Sequence, residues 1–571
     1  MTDSKKPLRI VLAQLNYRLC DYGANVAKIV RAIEENRRAD LIVFSELAVS
    51  GYYPQDLVEE PDFLARQQKA LEQILAASRS NMANACPYIA IGAVTKNAGV
   101  GKPLHNSLLL VRNGEVVLAY HKQLLPTYDV FDERRHFEPG EDRSAVMLIN
   151  GHRIGFLVCE DGWNIDERDY RANPVRTLCN DGVDLIISIN ASPSNVGKQR
   201  LRHDLFARVS REHWVPMVYV NQVGANDQIV FDGASFAVDP AIGVVHELPL
   251  FQEATEEIIY DNQAFSALGN QLNKPVERYL TDPEFYYQQI KIGLRDYVEK
   301  VGFRGVVVGS SGGIDSALTI ALAADTLGAD NVKAITMPSI YSSAGSINDS
   351  KSLCDNVGVE LYQHDISALF KAYNENFQRS FGIGSSKLTR ENVQARIRGT
   401  VLMEFSNHFG NLVVSTGNKS EMSVGYATLY GDMNGGLNLI GDLYKTEVYA
   451  LARYYNVMHG REVIPAAILE KEPSAELSEG QRDTDSLPPY SVLDQILKLH
   501  IEGARLRADE RREAEARIAA LEASGQKGSI ARVHAMVARA EFKRRQAPPI
   551  IRCRARAFGN GRQMPIAAVY E

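Results

Sequence analysis

The sequence predicts two α/β domains in tandem, and three observations carry that expectation. The chain has 571 residues, more than one hydrophobic core ordinarily serves. Apolar β-like runs alternate with amphipathic helical stretches in both halves. Between about 250 and 285 this alternation fades into polar, irregular sequence before it restarts. The expected division is therefore a first domain over 1–250, a linker over 251–285 and a second domain over 286–571.

In the first domain RIVLAQ reads as a strand, NVAKIVRAIEENRR as an amphipathic helix, and LIVFSE, YIAIGAV, SLLLVR, IGFLVCED, LIISINAS and MVYVNQVG as further strands. LIVF and LIISI show little polar alternation, which fits strands covered on both faces. The second domain opens with a helix near Tyr286, then a strand, GVVVGSS, a helix through ALTIALAADTLG and the strand VKAITMP. A helix over 346–356, the segment LYQHDI and a long helix carrying ENVQARIRGTVLMEFSNHF complete a second unit with its own parallel sheet. The segment 470–490, EKEPSAELSEGQRDTDSLPPY, is acidic and proline-bearing and reads as a mobile loop.

A net charge of -7, spread along the chain, speaks against a dedicated nucleic-acid or membrane partner. No apolar run approaches the roughly 20 residues that span a bilayer, and no signal-peptide pattern opens the sequence, so a cytoplasmic protein is expected. The six cysteines, at 20, 86, 159, 179, 354 and 553, form no CxxC pair and signal neither a zinc site nor a disulfide framework.

LIVFSELAVSGYYPQD, AYHKQLLPTYDVFDERRHF and RIGFLVCEDGW each place a reactive side chain at or just past a strand end: Glu46, Lys122 and Cys159. Amide hydrolysis through a thioester needs a thiolate, a group to move its proton and a cation for the developing oxyanion. Taken singly, the cysteine suits a core position and the charges suit an ion pair. Together, in this order, the segments resemble the nitrilase-type amidases, a family of αββα sandwiches, over roughly 1–250. The resemblance implies that Cys159 is the nucleophile, Glu46 the base and Lys122 the oxyanion's cation, with Glu133 ordering the site. It further implies that Tyr128, Ser192 and Lys198 hold glutamine.

GSSGGIDS, behind the strand Val306, Val307, Val308, has the small residues that let backbone N–H groups approach phosphate at a helix start. It lacks the lysine of a Walker loop and ends in Asp315 and Ser316. The pattern SGGxDS resembles the loop of the ATP pyrophosphatases, doubly wound Rossmann-like enzymes of the adenine nucleotide alpha hydrolase group. These cleave between the α and β phosphates and transfer AMP. Ser310 stands where many relatives carry leucine.

MPSIYSSAGSINDS, TRENVQARIRG, VVSTGNKSEMSVGYATLYGDMNGGLNLIGDLYKTEVYALAR and EFKRRQAPP narrow the resemblance to the NAD+ synthetases, and the whole chain to their glutamine-dependent form. Its implications are ATP and Mg2+, with Gly309, Ser310, Ser311, Gly312, Gly313, Ile314, Asp315, Ser316 and Thr416 binding ATP. Asn392, Glu421 and Lys543 would bind deamido-NAD+, and Asp315 with Glu421 the metal. Asp442 and Lys445 stand beside them as weaker candidates. The expected reaction is amidation of deamido-NAD+ with ammonia from L-glutamine, in a homo-oligomer. A GMP or asparagine synthetase type, or a non-catalytic binding protein, are the alternative readings.

Overall fold

The computed structural model describes residues 5–79, 86–164, 166, 168–267, 269–525 and 527–568. The chain divides into two compact units, Met1–Tyr279 and Leu280–Glu571.

The first unit is an αββα sandwich. One sheet has eight strands, in the order Asn270–Gln271, Ala264–Ala267, Ala254–Asp261, Leu8–Gln14, Leu41–Val43, Tyr88–Lys96, Leu104–Arg112, Glu115–His121. The other has six, in the order Gly243–Glu247, Phe236–Asp239, Met217–Asn221, Leu185–Asn190, His152–Val158, Val146–Ile149. The two-residue period of a strand sends Ile10 and Leu12 to the face shared with Phe156, Ile187 and Val218 of the second sheet. It sends Val11 and Ala13 the other way, against Val26, Ile29 and Ile33 of the helix Tyr22–Glu35. The outer face of the second sheet packs Leu157, Ile186 and Met217 on Phe206 and Val209 of Lys198–His213. Strands buried on both faces explain why LIVF and LIISI show no alternation.

The expected linker over 251–285 is corrected here. Ala254–Asp261 runs antiparallel to Leu8–Gln14, with Leu8 opposite Tyr260 and Gln14 opposite Ala254. Two more strands of that segment extend the sheet. Only Ile258 and Tyr260 of this strand are buried, so its sequence, ATEEIIYD, looks polar although it is paired. The helix expected near Tyr286 already begins at Asp282, with Pro283 in its first turn.

The second unit is a parallel five-stranded sheet ordered Glu360–Gln363, Val332–Thr336, Val306–Gly309, Leu412–Ser415, Leu437–Asn438. Val307, Ile335 and Val413 pack on Ile397 and Val401 of Lys387–Phe409. The helix Ile314–Leu327 follows the first strand and is buried along nearly all its length. The strand order reverses beside Val306–Gly309, the place where such sheets bind ligands. Among the described residues, no helix is long and apolar enough to cross a membrane.

Candidate functional sites

In the first unit, Glu46, Lys122 and Cys159 follow the ends of three strands that the sandwich brings together. Lys122 Nζ donates to Glu46 Oε1 and to Glu133 Oε1, each at 2.8 Å, and all three side chains are fully buried. Asn106 Nδ2 donates to Glu46 Oε1 at 2.7 Å and to Glu133 Oε2 at 3.3 Å. The Ala191 amide reaches Glu46 Oε2 at 3.0 Å, and the Tyr52 hydroxyl reaches Glu133 Oε1 at 2.6 Å.

Cys159 stands at the turn from the strand His152–Val158 into Cys159–Gly162, with φ of +46°, a conformation that most residues avoid. Asp161 fixes that turn. Its carboxylate accepts from the amides of Gln123, Leu124 and Val158 and from the Tyr120 hydroxyl. Burial pushes the Cys159 thiol well up, the Glu46 carboxylate adds to this, and the Lys122 ammonium opposes it. Cys159 thus rests as a thiol within the electrostatic reach of the Glu46 carboxylate. Burial alone would lower Lys122, but Glu133 and Glu46 outweigh it and keep the ammonium charged. Burial raises Glu133, with Lys122 opposing.

Around Cys159, the Tyr128 hydroxyl donates to both Glu160 oxygens at 3.1 Å, and Tyr170 donates to Glu160 at 3.0 Å. Lys198 lies with its ammonium 3.9 Å from the centre of the Trp163 ring, and its charge also acts on Glu160. Ser192 is held by its amide, which donates to Asn221 Oδ1 at 2.9 Å.

Sequence reasoning missed Tyr52, Asn106, Asp161 and Glu160, though CEDGW contained the last two. It also missed Gly92. A Cβ there would lie 2.1 Å from Leu47 N and 2.7 Å from Glu46 Cα. Only glycine lets the neighbouring strand press on the backbone that carries Glu46. Gly92→Ala is expected to cost about 1–3 kcal/mol of stability and to slow amide hydrolysis more than tenfold by displacing Glu46. Thermal unfolding and a glutaminase assay check this together.

In the second unit, a cavity of about 680 Å³ opens at the carboxyl ends of the sheet strands. Gly309, Ser310, Ser311, Gly313, Ile314, Asp315 and Ser316 line it, together with Asn392, Thr416, Glu421 and Lys543. Gly312 is the loop's packing residue instead. Its φ is +73°, and a Cβ would meet Ser346 O at 2.4 Å. The loop holds itself: Ser316 Oγ donates to Gly313 O at 3.0 Å and accepts from the Ser311 amide at 3.2 Å.

Lys445 is central. It pairs with Asp315 and lies 3.2 Å from Glu421 Oε1, while Asn418 donates to Asp315 Oδ1 at 2.9 Å. Asp483 acts on the same cluster and accepts from Tyr490 at 2.8 Å. Burial pushes Glu421 up, Lys445 opposes, and Asp315 and Asp483 add to the rise. Asp315 and Glu421, the two carboxylates in contact with Lys445, are oxygen donors of the kind that a hard divalent cation such as Mg2+ takes. Lys543 Nζ donates to Gly425 O and Ala427 O, and Asn392 Oδ1 accepts from Thr428.

Asp442 is turned away from this cluster. It pairs with Lys419 and accepts from the amides of Cys553 and Arg554. Arg554, fully buried, pairs in turn with Glu447, Glu502 and Glu510. Glu447 Oε2 accepts from the Tyr444 amide and so caps the helix that begins with Lys445.

Of the segment 470–490, expected as a mobile loop, residues 471–477, 481 and 483 line the cavity. Glu476 accepts from Ser346 Oγ at 2.6 Å and Ser343 Oγ at 3.1 Å. Asp483 is buried.

Residues 9–262 match the carbon-nitrogen hydrolase family and residues 286–547 the NAD synthase family. The glutamine-dependent NAD(+) synthetase of Synechocystis sp. is 40% identical, over 98% of this chain and 99% of that one. The glutamine-dependent NAD(+) synthetase of Thermotoga maritima is 39% identical, over 98% of each chain. Among solved structures, the glutamine-dependent NAD+ synthetase from Acinetobacter baumannii, in complex with ADP, superposes with a TM-score of 0.75 at 36% identity over 98% of each chain.

Proposed function

The chain belongs to the glutamine-dependent NAD+ synthetases, and from that premise we propose how its two sites divide the reaction. In the first, glutamine is held by Tyr128, Ser192 and Lys198, with the buried Glu160 carboxylate available to its α-ammonium. Glu46 takes the Cys159 proton, and the thiolate attacks the side-chain amide carbon. The tetrahedral oxyanion forms beside the Lys122 ammonium. The proton on Glu46 passes to the departing nitrogen, ammonia leaves, and a thioester remains. Glu46 then draws a proton from water, which releases glutamate and restores the thiol.

In the second site, the acid to be amidated is the nicotinate carboxylate of deamido-NAD+. Expelling oxide from it at neutral pH is prohibitive, so the carboxylate oxygen first attacks the α-phosphorus of ATP and pyrophosphate departs. Ammonia attacks the resulting mixed anhydride at carbon, AMP leaves, and the product is NAD+. Residues 309–316 and Thr416 take the ATP, while Asn392, Glu421 and Lys543 take the dinucleotide. Asp315 and Glu421 would hold Mg2+, which when bound offsets charge on the leaving pyrophosphate. Lys445 keeps those two carboxylates together. The segment 470–490, whose residues 471–483 run along one wall of the cavity, excludes water from the anhydride.

The observation that carries this reading is a phosphate loop whose acidic end, Asp315, meets Lys445 and lies near Glu421 in a cavity large enough for a nucleotide and a second substrate. ATP, Mg2+ and glutamine with deamido-NAD+ should yield AMP, pyrophosphate and NAD+. Xanthylate in place of deamido-NAD+ should yield none, and AMP release with xanthylate alone would replace the reading by a GMP synthetase type.

The active form is a homo-oligomer. Tyr373 and Phe381 on one helix and Leu388 and Phe409 on the next are exposed apolar side chains that a second copy would cover. A sedimentation measurement returning only monomer would refute this.

A further inference from the structure

We propose that Asn106 is a positioning residue of the amide-hydrolysing site, a neutral two-pronged donor that fixes Glu46 and Glu133 relative to each other and keeps Glu46 able to accept the thiol proton. This rests on the assignment of Cys159, Glu46 and Lys122 made above.

Lys122 is shared by two carboxylates with no solvent around any of the three groups. A single ammonium cannot balance both. Two carboxylates in such a site drive a proton onto one of them. A proton resting on Glu46 would disable it as a base. A second cation would prevent that, but it would also quench the carboxylate's basicity.

A primary amide avoids both outcomes, because it offers two N–H donors and no charge. Asn106 Nδ2 lies 2.7 Å from Glu46 Oε1 and 3.3 Å from Glu133 Oε2, so each carboxylate receives one of them. The orientation follows from charge: turning the amide over would aim its oxygen lone pairs at two anions. Among the described residues its Oδ1 has no hydrogen-bond partner, so the carboxylates alone orient the side chain.

The backbone sets the register. Asn106 lies on the strand Leu104–Arg112, and its carbonyl accepts from the Lys122 amide at 2.8 Å. The donor and the shared cation are therefore placed by the same pair of chain segments. Glu46 Oε1 then carries two donors, Lys122 and Asn106, while Oε2 carries the Ala191 amide at 3.0 Å. One oxygen is anchored, and the other keeps a lone pair for the proton of Cys159. The charged and titratable groups that face this cluster are Lys122, Glu133, Tyr52, Tyr53, Cys159, Glu160, Asp161 and Tyr170.

Two variants of the full-length protein test this, with circular dichroism and thermal unfolding as the measure of intact folding. Asn106→Leu keeps the branching at Cγ, adds bulk and removes both donors. Its kcat for glutamine hydrolysis is expected to fall about ten- to a hundredfold with little change in KM, and the acid limb of the pH–rate profile to move to higher pH. Asn106→Asp should respond in the opposite sense. It retains most activity at low pH, where the new carboxyl is protonated and can donate once, and loses it as that carboxyl ionises.

A residue that only filled space would give a uniform fall with unchanged pH profiles, and that result would overturn the proposal. An unchanged kcat in Asn106→Leu would overturn it too. Should the leucine variant not fold, the aspartate variant, nearly the same shape, carries the test alone. Glutamine hydrolysis persisting in Cys159→Ala would instead remove the underlying assignment, which separates the two failures.

Discussion

Replacing Cys159 with alanine is expected to depress glutamine-dependent NAD+ formation by at least about a thousandfold while synthesis from ammonium salts continues. Covalent attack has no substitute in that site. Asp161 and Tyr120 hold the backbone of the turn, and the other groups near the thiol, Glu46, Glu133, Lys122 and Glu160 with its two tyrosines, include no second thiol. Glu46 could still polarise water, but without a thioester the amide must be hydrolysed in one step. The mutation is also a small one in volume, so the sandwich core around Val158 and Ile187 should hold. Measuring NAD+ with glutamine and with ammonium chloride in parallel gives the result directly. Loss of both would mean that the two sites are not chemically separate, contrary to the mechanism above.

The second large effect falls on the other unit. Asp315→Asn should lower AMP and pyrophosphate release about a hundredfold or more with either nitrogen source, and leave the release of glutamate from glutamine in place. The substitution keeps the shape of the side chain, yet it removes the charge that pairs with Lys445, and it sets one amide against the Asn418 amide that now donates to it. Lys445→Met is the complementary change. It leaves Asp315, Glu421 and Asp483 without their shared cation, and the loss of a buried partner of this kind costs about 3–5 kcal/mol. Asp315→Asn should therefore fail in catalysis at near-normal stability, whereas Lys445→Met should fail in both. Pyrophosphate release and a thermal melt on the same samples distinguish them. A full rate of pyrophosphate release in Asp315→Asn would refute the role given to the loop's acidic end.

The parts of this molecule that were legible in the sequence are those that several separated segments announce together. A lysine after a strand and a cysteine in CEDGW are commonplace singly, but with the segment around Glu46 they occur in one order, and the fold places Lys122 on Glu46 and Cys159 within its electrostatic reach. Asn106 and Tyr52 do not stand out. They are common residue types, and their significance lies in contacts 60 and 81 positions along the chain. Gly92 was equally hidden, since a glycine in YIAIGAV reads as a weak point in a strand until the neighbouring backbone is seen 2.1 Å from where its Cβ would be.

The pair in GDLYKTEV shows the same limit. The family resemblance offered Asp442 and Lys445 together as weaker candidates, but the helix start turns Lys445 toward Asp315 and Asp442 toward the amides of Cys553 and Arg554. The segment over 251–285 was misjudged for a different reason. A strand that buries only two of its residues presents a polar sequence, and its partner, Leu8–Gln14, lies at the far end of the domain's sequence.

That distance between partners has its counterpart in the second unit, and there it bears on how the protein is made. The groups assigned to proton transfer and glutamine binding in the first site lie between Glu46 and Lys198, so a ribosome has finished those residues long before it reaches the rest. The scaffold behind Lys445 is different, because Arg554 and the amide of Cys553 come from the last twenty residues of the chain. Domains fold as units and N-terminal first during synthesis, at about 5–20 residues per second. The half that liberates ammonia can thus be assembled while the half that consumes it still lacks its buried arginine.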